Sequence, residues 1–80
     1  MIERSITIFD NTTELLIKEI VITPNFSLLK KKYKEELNTD PLLYYEYEIK
    51  EDDVEFYKKL IDIDFEFDKY NYFLSCSEVK

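Results

Sequence analysis

The chain reads as an α+β domain of order ββαβαβ, a mostly antiparallel sheet with two helices packed on one face, and three observations predict it. Apolar residues alternate in four separate stretches, as half-buried strands require. Two intervening stretches instead place apolar residues at helical spacing. No internal repeat or low-complexity linker interrupts the 80 residues, a length that supports one core, so residues 1–80 are read as a single domain.

Residues 4–9 form the first expected strand, from the alternation of Ile6 and Ile8 and their β-branched content. Residues 15–23 form the second. The loop Asp10-Asn11-Thr12-Thr13-Glu14 joins them as a hairpin, its Asp and Asn able to take left-handed conformations without glycine. Thr23-Pro24-Asn25 ends the second strand because proline has no amide for the ladder. Ser27 is positioned to cap a helix reaching about Leu37, with Leu29, Tyr33 and Leu37 as its apolar stripe.

Asn38-Thr39-Asp40-Pro41 is a turn, and a third strand follows in which Leu43, Tyr45, Tyr47 and Ile49 face the core while Tyr44, Glu46 and Glu48 face outward. A second helix spans Glu51 to Leu60 or Ile61, with Val54, Tyr57, Leu60 and Ile61 on its apolar side. Acids in its first turn and Lys58-Lys59 in its last suit the helix dipole. Ile61 to Asp68 alternates throughout, which predicts extended chain at least from Asp64. After a turn at Asp68-Lys69, residues 70–76 form the last strand.

Composition excludes more function than it suggests. With no His, the Ser-His-Asp and Cys-His constellations and the usual neutral-pH general base are absent. With no Gly, the glycine-rich phosphate loops are absent as well. The single Cys76 can form neither an internal disulfide nor a thiolate metal cluster, so no cofactor and no metal is expected. Asp62, Asp64, Glu66 and Asp68 have the spacing that begins a calcium loop. Counted from Asp62, however, the sharp-turn glycine falls on Phe67 and the closing acid on Phe73. No catalytic residue is assigned, because a thin-walled domain of this size offers little to raise a carboxyl pKa. No leader-like segment or long apolar run stands at the amino terminus, and the chain is expected to be cytoplasmic, with no membrane partner.

Net charge is −7 and unevenly placed. Residues 1–39 carry six acids and six bases, whereas residues 40–80 carry twelve acids and five Lys, and so hold the whole excess. Such a field repels nucleic acid and attracts a basic protein. The run Lys30-Lys31-Lys32 with Lys34 is explained as a solvated helix face, since Lys31 and Lys32 stand four residues before Glu35 and Glu36. Direct nucleic-acid binding is therefore not expected. The candidate partner-binding residues are Tyr44, Glu46, Glu48, Glu51, Asp52, Asp53, Glu55, Asp62, Asp64, Glu66 and Asp68: acids to steer a basic partner, and a tyrosine to anchor it.

Pro41-Leu42-Leu43-Tyr44, the Phe56-Tyr57 helix and above all Asp64-Phe65-Glu66-Phe67-Asp68-Lys69-Tyr70-Asn71-Tyr72-Phe73-Leu74-Ser75-Cys76 give the chain a further character. In these it resembles short acidic bacterial proteins similar to immunity proteins of polymorphic and contact-dependent growth inhibition toxins. The resemblance implies a cytoplasmic antidote that binds one cognate toxin domain, often a nuclease. It carries no functional residues over, because immunity proteins diverge at their binding surfaces. Two other functions stand beside this one: a DNA-mimic regulatory or anti-restriction module that binds a DNA-binding protein, and a small enzyme.

Overall fold

The computed structural model describes residues 2–24 and 26–78. Strands β1 (Ile2–Asp10), β2 (Leu16–Ile22), β3 (Tyr47–Ile49) and β4 (Tyr70–Glu78) form one antiparallel sheet in the order β2-β1-β4-β3. Helices α1 (Phe26–Lys32) and α2 (Val54–Lys58) complete the expected ββαβαβ order. The first and last strands are neighbours along their full length, from Ile2 opposite Glu78 to Asp10 opposite Tyr70. This long-range pairing closes the domain.

Strand alternation assigns the two faces of the sheet. Ile6 and Ile8 of β1, Tyr72 and Leu74 of β4 and Ile49 of β3 point to one side, where Leu29 from α1, Tyr33 just after it, Tyr57 from α2 and Ile61 from its exit bury them. Aromatic rings do much of the filling: Phe65 and Phe67 stack on each other, and each meets the Tyr72 ring edge-on. The Tyr33 and Tyr57 hydroxyls hydrogen-bond to each other inside this core, which satisfies two polar groups that burial would otherwise penalise.

Several local expectations need correction. Helix α1 starts at Phe26, so Ser27 lies inside its first turn, and it ends at Lys32 instead of Leu37. The chain then tightens into a 3-10 turn at Glu36–Asn38, so Glu35 and Glu36 fall outside the helix that carries Lys31 and Lys32. Asn25, expected in the turn before α1, lies outside the described residues. The second helix opens as a 3-10 turn, Glu51–Asp53, before Val54–Lys58. In the hairpin loop the left-handed residue is Glu14, φ 62°, not Asp10 or Asn11. Asp10 instead uses its carboxylate to accept the Thr12 and Thr13 amides, both at 2.8 Å, and these bonds hold its carboxyl below the usual value.

The largest departure is at the third strand, which is regular only over Tyr47–Ile49. Asp40 is the cause. Its buried carboxylate accepts the amides of Tyr44 and Tyr45, each at 2.9 Å, and the hydroxyl of Tyr47 at 2.6 Å, so residues 40–46 fold around it as a loop. Leu43, forced to φ 53°, still reaches the core, but Tyr45 is 64% exposed where the alternation places it inside. From Tyr47 onward the expected faces hold: Ile49 is buried and Glu48 is exposed on the other side.

Candidate functional site

Both helices lie on one side of the sheet, so among the described residues no element covers the other side. Its residues follow from the register. Thr7 stands between Glu19 of β2 and Phe73 of β4, Phe73 stands opposite Glu48 of β3, and Phe9 stands opposite Asn71. The middle of this face is a row of small hydroxyls. Thr7 Oγ1 and Ser75 Oγ are 2.9 Å apart, and the Ser5 hydroxyl donates to Glu19 Oε2 at 3.3 Å. Ser5 and Thr7 are buried here by the flanking side chains alone.

Beside the hydroxyl row the half-buried rings of Phe9 and Phe73 meet edge-to-face, with centroids 5.6 Å apart. They form the floor of a shallow depression of about 270 Å³ whose rim includes Glu14, Glu46 and Asn71. Glu48 and Glu19 extend the carboxylates to either side. The two ion pairs among the described residues, Lys32 with Asp53 and Lys69 with Glu66, both lie elsewhere, so no ion pair neutralises this rim. The face thus combines an apolar centre with a negative surround.

The structure divides the candidate binding residues into separate groups. Glu46 and Glu48 belong to the open face. Tyr44 is 45% exposed in the loop leading to it, its amide held by Asp40 while its ring is free, and Leu42 and Tyr45 are exposed in the same loop. Glu51, Asp52 and Glu55 are exposed along the opening of the second helix. Asp53 is engaged internally. It pairs with Lys32 and accepts the Lys50 amide at 2.9 Å, and although burial opposes its ionisation, these contacts hold its carboxyl below the usual value.

The acids from Asp62 onward are not beside Glu46 and Glu48. Residues 61–66 alternate in burial as expected, yet they belong to no strand and lie beside β2 on the helix side. There β2 and β3 are opposite edges of the sheet, roughly 14 Å apart at ~4.8 Å per strand spacing. Asp62 and Asp64 flank β2, Glu66 pairs with Lys69, and Asp68 lies at the turn before β4, where its carbonyl accepts the Asn11 side chain at 3.4 Å. Among the described residues no group of three or more His, Cys, Asp or Glu is placed to hold a metal ion. Among these residues no helix is long and apolar enough to cross a membrane.

Phe9, Phe73, Glu14 and Glu19 are the members of the face that the sequence reading does not select. Alternation already turns Phe9 and Phe73 away from Ile8, Tyr72 and Leu74, but only the β1-β4 pairing brings the two rings together. A family model described as "Domain of unknown function (DUF7683)" matches residues 3–75. The chain belongs to this DUF7683 family. The matched stretch includes β1 to β3 almost entirely and β4 through Ser75, so the open face is part of the family domain and not an appendage to it. No curated protein matches the chain.

Proposed function

We propose that this DUF7683 protein is a protein-recognition domain acting as an immunity protein, which docks a basic cognate toxin domain on its open sheet face. The observation that carries the docking is the Phe9–Phe73 pair set among the carboxylates of Glu14, Glu19, Glu46 and Glu48. Apolar rings at the centre of a face supply contact area at low entropic cost, and a charged rim steers encounter with a partner of opposite sign. The regular sheet holds Phe9, Phe73, Glu19 and Glu48 in place before the partner arrives, which lowers the ordering cost of binding. The immunity role is supported by the resemblance carried by residues 41–44, 56–57 and 64–76.

Recognition accounts for this face better than catalysis does. A general acid needs a carboxyl pKa raised toward neutrality. Asp10, Asp40 and Asp53 hold carboxyls displaced downward, the opposite direction: Asp10 by the Thr13 and Thr12 amides, Asp40 by the Tyr47 hydroxyl with the Tyr45 and Tyr44 amides, and Asp53 by the Lys32 ammonium with the Lys50 amide. The depression on the open face is also too shallow to exclude water from a reaction. Co-expression with the product of the adjacent upstream gene, followed by affinity purification, tests the proposal. Co-purification of a basic toxin-like domain, lost in the Glu46→Lys/Glu48→Lys variant, is the expected result. Capture of a cellular DNA-binding protein instead would favour the DNA-mimic reading.

A further inference from the structure

We propose that the free edge of β2 accepts an extended segment of a protein partner carrying alternating apolar and basic residues, added to the sheet as a fifth strand. This inference concerns a different surface from the open face and does not rest on it.

The sheet has two edges, and they are unlike. At one edge β3 is three residues long and flanked by the Asp40 loop and the 3-10 turn, which leaves little main chain for a partner to pair with. At the other edge β2 is seven residues long, and among the described residues no main-chain group pairs with its outer side. Protein edges are ordinarily blunted by charge, proline or irregularity. Five of the seven residues of β2 are apolar, and Leu16, Ile17 and Val21 are each more than half exposed. The register shift opposite Ile8 and Phe9 leaves Ile17 as a bulge, so the regular template is residues 18–22.

A groove of about 620 Å³ runs along this template, between Ile20, Val21 and Ile22 on one side and Leu60, Asp62 and Ile63 on the other. A second depression of about 240 Å³ continues it past Ile17 to Asp64 and Glu66. An added strand points alternate side chains to the two faces of the sheet, and main-chain hydrogen bonds supply affinity while the flanking pockets set specificity. Here one flank would meet Leu60 and Ile63, and the carboxylates of Asp62 and Asp64 against the single Lys18 select positive charge. A second copy of this chain is the weaker occupant, since pairing β2 with itself brings together two bodies of charge −7.

The test uses the full chain and a synthetic end-blocked heptapeptide of alternating valine and lysine, followed by fluorescence anisotropy and by amide chemical shifts. Shift changes and slowed hydrogen exchange in Leu16–Ile22 are expected, with affinity reduced about tenfold or more when alternate peptide amides are N-methylated to remove the donors. The Asp62→Lys/Asp64→Lys variant should fold normally, both side chains being exposed, and bind the peptide several-fold more weakly. Absence of binding, indifference to N-methylation, or shifts confined to the Phe9 and Phe73 face would each overturn the proposal. Sedimentation showing a dimer that protects β2 would overturn it in favour of self-pairing. None of these outcomes bears on Glu46 and Glu48, so the open-face reading stands or falls separately.

Discussion

Asp40 and Tyr47 are joined by a hydrogen bond of 2.6 Å from the tyrosine hydroxyl to the carboxylate, and this bond sets where the third strand begins. Burial of Asp40 opposes its ionisation. The Tyr47 hydroxyl, the amides of Tyr45 and Tyr44 and the charge of Arg4 outweigh that penalty, and the carboxyl lies below the ordinary value. Tyr47 shows the converse, its phenol pushed up by burial and by the neighbouring carboxylate. Arg4 fixes the far side of the same loop by donating to the Leu42 carbonyl at 2.6 Å, while its guanidinium lies 5.0 Å from the Phe26 ring centre.

A carboxyl depressed in the folded state stabilises the fold fully above its unfolded value of about 4, and the contribution disappears as pH falls through the lower folded value. Thermal melts should therefore show stability falling on acidification below about pH 4, with Asp40→Asn less stable at neutral pH and less sensitive to acid. Tyr47→Phe should lower the melting midpoint in the same direction. An acid profile unchanged in Asp40→Asn would show that the loop is held by other contacts.

Tyr57→Ala should cost about 3–5 kcal/mol, the range for removing a large ring from a packed core, since Tyr57 is fully buried at the centre of the cluster. Tyr33→Phe removes one partner of the buried hydroxyl pair and should cost only about 1 kcal/mol. Denaturant titration reads both. Equal losses for the two variants would mean that the hydroxyl pair, not the ring volume, organises the core.

Tyr44→Ala should leave the melting midpoint near that of the parent while speeding dissociation of a bound partner, because the ring is exposed but its backbone is pinned by Asp40. Tyr45→Ser should behave alike in stability, since its ring is outside the core as well. Surface plasmon resonance with a co-purified partner, paired with a melt of each variant, separates the two effects. Unfolding of Tyr44→Ala would place that ring in the structural core.

Strand alternation suffices to read β1 and β4, because Ile6, Ile8, Tyr72 and Leu74 mark a buried face without reference to the rest of the molecule. It failed at Tyr45, where the side chain of Asp40 captures two successive amides and overrides the pattern. The outward position of Glu46 and Glu48 was equally legible. Their separation from Asp62 and Asp64 was not, because nothing local in the chain reveals that β4 inserts between β1 and β3 and leaves β2 at the far edge. The same topology assembles Phe9 with Phe73, residues 64 positions apart in sequence.

If carboxylates of the open face steer a basic protein onto the Phe9–Phe73 centre, stopped-flow association of the Glu46→Lys/Glu48→Lys variant with the co-purified partner shows it most directly. Both glutamates are exposed, so the melting midpoint should hold or rise slightly as repulsion is relieved. The association rate should fall markedly at low salt, and the difference from the parent should shrink as salt rises, since screening acts beyond about 10 Å at 0.1 M. An association rate equal to that of the parent at every salt concentration, in a variant that remains folded, would contradict the claim and leave these acids a role in solubility alone.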